Sequence, residues 1–237
     1  MNRPAAGLED DSPALRAALI AHAQRMAPAQ LNRGSAGNLS ARATHAGQSG
    51  YLITPTGMAY ADLAPEDLVF MGLDGSMHGA RQPSSEWRFH HDVYAARPEA
   101  GAILHAHSPF AVTLACLRRD IPPFHYMIAR FGGDTLRCAD YATFGTQALS
   151  DAALTALEGR CACLLANHGM LVFGADLRRT LALAIEFETL CEHYWRACQM
   201  GTPSILSDLE MAEVIIRFKT YGKPQPASAP APDVSAP

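Results

Sequence analysis

An α/β fold is what this chain predicts, from the alternation of two kinds of segment and from its length. Short apolar runs of strand character, Tyr51-Leu-Ile53, Gly101-Ala-Ile-Leu104 and Cys161-Ala-Cys-Leu-Leu-Ala166, are separated by longer stretches with apolar residues at helical spacing. The 237 residues suffice to bury a sizeable core, as one α/β domain or two small ones, and no linker composition divides them.

Charge and cysteine usage narrow the class. Nineteen lysines and arginines against 23 acidic residues leave a formal charge of -4 and no basic stripe, which argues against nucleic acid as the main partner and for a small-molecule ligand. The start, Met-Asn-Arg-Pro-Ala-Ala-Gly-Leu-Glu-Asp-Asp11, lacks the cationic and apolar regions of a signal peptide. No apolar run approaches the ~20 residues that span a bilayer, so a soluble cytoplasmic protein is expected. The six cysteines form no Cys-x-x-Cys pair and read as reduced, small core residues. The lysines are Lys219 and Lys223 alone, just before the C-terminal tail, and neither reads as buried. A Schiff-base route for carbonyl chemistry therefore has no candidate, and a metal would have to supply the electrophile.

In chain order, residues 1–12 are expected to be disordered, and Ser12-Pro13 opens a helix to about Met26 that Pro28 stops. The loop Leu31-Asn-Arg-Gly-Ser-Ala-Gly-Asn38 leads into a short strand, Leu39–Arg42, on which Tyr51–Ile53 pairs back. Thr54-Pro-Thr-Gly57 ends that strand; its hydroxyls and free backbone, with the amides of the earlier loop, suit an anion nest. Val69-Phe-Met71 and the Leu73-Asp-Gly75 turn form a further hairpin. Pro83-Ser-Ser-Glu86 caps a helix from Trp87 to Arg97, with serine as N-cap and Glu86 in the first turn. Two hydroxyls at a helix start are also a ready phosphate site. His90, one turn after Glu86, is given an exposed or supporting role rather than ligation.

Further on, Ser108-Pro109 caps a helix to about Leu117, and the proline-rich Ile121–Tyr126 forms a surface loop. A short strand at Leu136–Cys138, a loop at Tyr141–Gly145 and a helix from Gln147 to Glu158 precede two strands around His168. A long helix from about Asp176 to Gln199 carries Glu186, Glu188 and Glu192 on its solvated face. Ser207-Asp-Leu-Glu210 is a capping box for a last helix, and the Pro/Ala/Ser-rich residues 224–237 are expected to be disordered.

The chemistry concentrates in three of the ten histidines. In an extended strand His105 and His107 share a face, because side chains two apart point the same way. His168 follows another apolar run, where a buried strand breaks into a turn. Three imidazoles with an open fourth position describe a catalytic zinc. The His105/His107 pair alone points to a metal and not to a reaction, since Pro109 stands where metallohydrolases often place an aspartate. Glu86 comes near the metal if the His105 strand packs under the helix that Glu86 opens.

Eight motifs occur in the order they take in one family. Gly-Ser-Ala-Gly-Asn-Leu-Ser, Ile-Thr-Pro-Thr-Gly, Pro-Ser-Ser-Glu-Trp-Arg-Phe-His, His-Ala-His, His-Tyr-Met-Ile-Ala, Tyr-Ala-Thr-Phe-Gly-Thr, Asn-His-Gly and Phe-Lys-Thr-Tyr-Gly resemble class II aldolases of the aldolase/adducin superfamily, nearest the L-fuculose-phosphate aldolases, over about residues 13–223. The resemblance implies a three-layer α/β/α sandwich with a mixed, largely antiparallel sheet, assembled as a homotetramer with sites between subunits. It implies Zn2+ on His105, His107 and His168, with Glu86 touching the metal and serving as acid/base. Gly37, Asn38, Thr56, Gly57, Ser84 and Ser85 match the phosphate pocket. Tyr126 matches a proton donor reaching a neighbouring subunit's site, and Phe144 and Tyr221 match residues on the aldehyde side. The positions near Ser35 and at Asn167 depart from the family pattern.

The implied reaction is zinc-dependent cleavage of a ketose 1-phosphate, L-fuculose 1-phosphate or a related deoxyketose 1-phosphate, to dihydroxyacetone phosphate and an aldehyde. The rivals are a 5-deoxyribulose- or methylthioribulose-phosphate aldolase or dehydratase, a pentulose-phosphate 4-epimerase and a non-catalytic adducin-like module. Ser-Ser-Glu here differs from the Ser-Ser-Asp that the epimerase branch resembles.

Overall fold

The chain wraps a nine-stranded mixed sheet, and a computed structural model describes it over residues 9–218. Its strands are β1 (Glu9–Asp10), β2 (Asn38–His45), β3 (Gln48–Ile53), β4 (Val69–Gly72), β5 (Met77–His78), β6 (Ala102–Ala106), β7 (Cys138–Ala139), β8 (Ala162–Leu165) and β9 (Gly169–Gly174). The helices are α1 (Pro13–Gln24), α2 (Trp87–Ala96), α3 (Pro109–Ala115), α4 (Gln147–Ala156), α5 (Leu177–Met200) and α6 (Asp208–Phe218). The expectations for Lys219, Tyr221, Lys223, the C-terminal tail and the first eight residues lie outside the described residues. Glu9 and Asp10 correct the expected disorder through residue 12, for they pair in parallel with Ala43 and Thr44 of β2.

The sheet order is β5-β4-β3-β2-β6-β9-β8-β7, with β1 alongside β2. The β1–β2 and β7–β8 pairs are parallel and the rest antiparallel, so the sheet is mixed and largely antiparallel. Helices α1, α3 and α5 pack on one another and on β2, β6 and β9, whereas α2 and α4 pack together on the opposite face. The result is the α/β/α sandwich. Alternation along β2 explains how one strand serves two layers. Leu39, Ala41 and Ala43 are apolar and buried; Asn38 and Ser40 are polar, equally buried, and face α2.

Register then places the chemistry. Asn38 sits opposite His105, and Ser40 opposite Ile103, so the polar face of β2 and His105 of β6 form one surface under α2. Pro98 forbids continuation of α2, and its last carbonyls are taken by Arg42, whose guanidinium donates to Tyr94 O at 2.8 Å and Arg97 O at 3.0 Å. Ile121 is buried and bridges to Leu136, so the proline-rich segment is anchored and not free surface loop.

Glu188 corrects a second expectation. It is buried, because α3 turns its open N-terminus toward α5: the Ser108 hydroxyl donates to its carboxylate at 2.6 Å, Phe110 N–H at 2.7 Å and Ala111 N–H at 2.9 Å. The solvated-face reading failed since helical periodicity does not show that a neighbouring helix needs an anion. Glu188→Ala leaves three donors unmet in the interior and is expected to lower unfolding stability by roughly 2–3 kcal/mol. Urea denaturation checks this, and a loss under about 0.5 kcal/mol would contradict it.

Candidate metal centre

Three backbone segments bring the candidate ligand side chains together. His105 stands near the end of β6, and His107 follows as the chain leaves the strand for α3. His168 occupies the turn of the β8–β9 hairpin, which pairs with β6 through Ala106 and Met170. That turn requires Asn167 in the left-handed region, φ 55°, and a residue without a side chain at Gly169, where a Cβ would lie 2.3 Å from the Ala106 carbonyl. Asn-His-Gly is thus the local solution to holding His168 against the β6 end.

Glu86 arrives from the other layer. It is the N-cap of α2, not a first-turn residue under a serine cap, and its side chain makes no capping bond. The carboxylate turns instead to the histidines, with Oε2 3.2 Å from His105 Nε2 and Oε1 3.1 Å from His168 Nε2. The three imidazoles form a near-equilateral triangle with ring centroids 4.7 to 4.8 Å apart, at steep interplanar angles. Ligand atoms of Glu86, His105, His107 and His168 all lie within 4.8 Å of one another.

Proton bookkeeping tests whether a cation fits. His105 Nδ1 faces the Met170 carbonyl at 2.8 Å, and a carbonyl only accepts, so Nδ1 carries a proton and Nε2 is the nitrogen that can present a lone pair to a cation. That Nε2 faces His107 Nε2 at 2.9 Å and the Glu86 carboxylate. Glu86 Oε1 is buried and receives no hydrogen bond of acceptable geometry despite His168 nearby. Burial works against a charged Glu86, but the adjoining His105 and His168 rings, whenever they carry a second proton, outweigh it and hold the carboxyl below the usual range. Burial, then repulsion from the neighbouring imidazoles, depresses His107 to about 4. Imidazole nitrogens and a carboxylate converging on one point are a divalent-metal donor set, and nitrogen with carboxylate oxygen suits zinc.

Glu86, His107 and His168 lie in the wall of a cleft of about 360 Å³, with His105 buried behind them. Gly37, Asn38, Thr56, Gly57, Ser84 and Ser85 line it with Glu86, His107 and His168, so the residues singled out for an anion meet the ligand set in one cavity. At Gly37, φ 79°, a Cβ would come within 2.6 Å of the His105 carbonyl, which accounts for the glycine. Phe144, Tyr141, Ala142 and Asn167 complete the cleft. Tyr126 is half exposed, stacks on His125 and Phe218, and does not line the cleft of its own chain.

Sequence reasoning passed over Ser40 and Tyr94 and left His90 half assigned. His90 is buried, not exposed, and bonds Ser40 Oγ and Asn38 Oδ1. The available signal was spacing: Asn38 and Ser40 are two apart on a strand, and Glu86, His90 and Tyr94 are four apart along a helix.

Residues 17–195 match the family described as Class II Aldolase and Adducin N-terminal domain. The chain is 53% identical over 209 residues to the 5-methylthioribulose-1-phosphate/5-deoxyribulose-1-phosphate aldolase of Rhodospirillum rubrum, covering 88% of this chain and 93% of that protein. It is 44% identical over 193 residues to the L-fuculose phosphate aldolase of Escherichia coli K12, covering 81% and 88%. Among solved structures, an L-fuculose 1-phosphate aldolase superposes with a TM-score of 0.83 at 38% identity, over 88% of this chain and 97% of the other. No described helix is long and apolar enough to cross a membrane. With a family match over most of its length, the chain belongs to the class II aldolase and adducin family, and it is an aldolase, a lyase.

Proposed function

We propose that this aldolase cleaves ketose 1-phosphates with an apolar aldehyde half, of the 5-deoxyribulose or 5-methylthioribulose 1-phosphate kind, releasing dihydroxyacetone phosphate. The observation that carries it is a cluster of three histidines and one glutamate at the wall of a cleft, His107, His168 and Glu86 lining it beside hydroxyls, glycine turns, Tyr141, Ala142 and Phe144. Hydroxyls and open backbone suit the phosphate, and the aromatic and aliphatic side chains suit a deoxy or thioether tail. The 53% identical relative carries that substrate pair in its name. L-Fuculose 1-phosphate is the second reading, favoured by the similarity to the Escherichia coli enzyme.

His105, His107, His168 and Glu86 are proposed to hold Zn2+, which supplies a Lewis acid for the ketose carbonyl and offsets negative charge developing at the adjacent carbon. The Gly37-Asn38 loop, the Thr56-Gly57 turn and the Ser84 and Ser85 hydroxyls hold the phosphate. As the C3–C4 bond breaks, its electron pair stays with the dihydroxyacetone phosphate carbon, and Glu86, which takes up a proton from solvent beforehand, delivers that proton there. The C4 hydroxyl proton leaves as the aldehyde forms; Tyr126 from a neighbouring copy in a homotetramer, the proton donor to the aldehyde oxygen in the reverse direction, is proposed to exchange it, and Phe144 and Tyr221 shape the aldehyde side. A cytoplasmic location and a domain spanning residues 13–223 belong to the same reading.

A panel of ketose 1-phosphates, assayed for dihydroxyacetone phosphate release, tests it. The expected order places 5-deoxyribulose 1-phosphate above L-fuculose 1-phosphate by roughly tenfold in kcat/KM, the scale of a small difference in one pocket contact. The reverse order favours the second reading. Negligible turnover of every member would sink both.

A further inference from the structure

Behind Glu86 lies a buried row of polar side chains whose proton positions follow from chemistry. A carboxylate only accepts, so the Asn38 atom 3.1 Å from Glu86 Oε2 is the amide nitrogen; its other hydrogen goes to Ser84 Oγ at 3.0 Å. Asn38 Oδ1 therefore faces His90 Nε2, which must carry a proton. His90 Nδ1 is then an acceptor, so the Ser40 hydroxyl 2.7 Å away donates to it. Ser40 Oγ in turn accepts from the Tyr94 hydroxyl at 2.9 Å. Asn38, Ser40 and His90 are at most 2% exposed, and Tyr94 is 1% exposed, so no solvent competes for these bonds. One set of donors satisfies the whole row.

We propose that His90, fixed in its Nε2–H tautomer by Ser40 and Tyr94, is a positioning residue that holds the Asn38 amide nitrogen on Glu86 and so orients the carboxylate that moves the proton. Both Asn38 amide hydrogens are committed within the protein, to the acid/base through one and to a phosphate-turn hydroxyl through the other. The side chain thus ties the two halves of the site together rather than gripping phosphate. Without a donor at His90 the amide has no reason to keep its orientation, and a flipped amide would set Oδ1 against the carboxylate. The inference rests on Glu86 acting as the proton carrier of the proposed aldolase.

The experiment pairs kinetics with an observable that does not need turnover. Selective ¹⁵N-histidine labelling of the wild type is expected to show His90 protonated on Nε2 with a lone pair on Nδ1. A proton on Nδ1 would overturn the proposal whatever the enzyme's activity. Absence of turnover with every ketose 1-phosphate would count against the aldolase reading alone. Given turnover, His90→Leu is expected to lower kcat by roughly 10–100-fold at unchanged metal content, as for loss of a partner that orients a reacting group. KM should stay within about threefold, because substrate contacts remain. His90→Gln, which offers an amide N–H in the same place, should recover most of the rate. Wild-type kcat in His90→Leu, or loss of metal in step with rate, would reject positioning. If His90→Leu does not fold, Ser40→Ala removes the donor that selects the tautomer and is expected to shift the His90 proton toward Nδ1 and lower kcat; an unmoved tautomer and rate would reject the proposal.

Discussion

Metal and turnover are expected to disappear together in His107→Ala. His107 contributes a neutral imidazole that stands 2.9 Å from His105 Nε2 and leans against His168 with ring centroids 4.8 Å apart, so its removal opens one corner of the ligand triangle. The remaining His105, His168 and Glu86 cannot enclose a tetrahedral ion as four donors do. Bound divalent metal, measured on the purified protein after dialysis, should fall from about one per chain to near zero. Turnover should drop by roughly 10³-fold or more, since the main electrostatic stabiliser of the developing charge goes with it. The fold should survive, because His107 lies beyond the end of β6 and its side chain is partly open to the cleft. Wild-type metal content in a folded His107→Ala protein would show that the ligand assignment is wrong.

Glu86→Gln separates ligation from proton transfer. Gln keeps the length of the side chain and an oxygen to face the histidines, yet it cannot take up a proton. Metal is expected to stay bound, with affinity reduced because a neutral amide replaces the carboxylate. Turnover should fall by roughly 10²–10⁴-fold, the range for losing a positioned acid/base. Exchange of the dihydroxyacetone phosphate carbon-bound proton with solvent should fall in parallel, because it uses the same group. Wild-type exchange in this variant would assign the proton to another residue. The comparison with His107→Ala is informative in itself: one variant loses rate through the ion, the other with the ion in place.

Much of this was legible from residue order. The apolar runs before His107 and His168 announced strands, and the Ser-Pro and Ser-Ser-Glu segments marked helix starts, since these are local properties of spacing and capping. The grouping of His105 and His107 was legible too, because side chains two apart on an extended strand share a face. What only the tertiary structure decided are the relations between segments far apart in the chain. Glu188 reads as a surface residue until α3 points three donors at it from 77 to 80 residues away. Glu86 is named from the sequence as the acid near the metal, but as a first-turn residue under a serine cap; the packing of α2 over β6 makes it the N-cap and aims its carboxylate at His105 and His168. His90 reads as one more helical histidine until the β2 register sets Asn38 and Ser40 against its two nitrogens. Helix and strand periodicity state which face a residue occupies; which polar group waits on the other side is set by long-range pairing and burial, where an unmet donor or acceptor is too costly to leave.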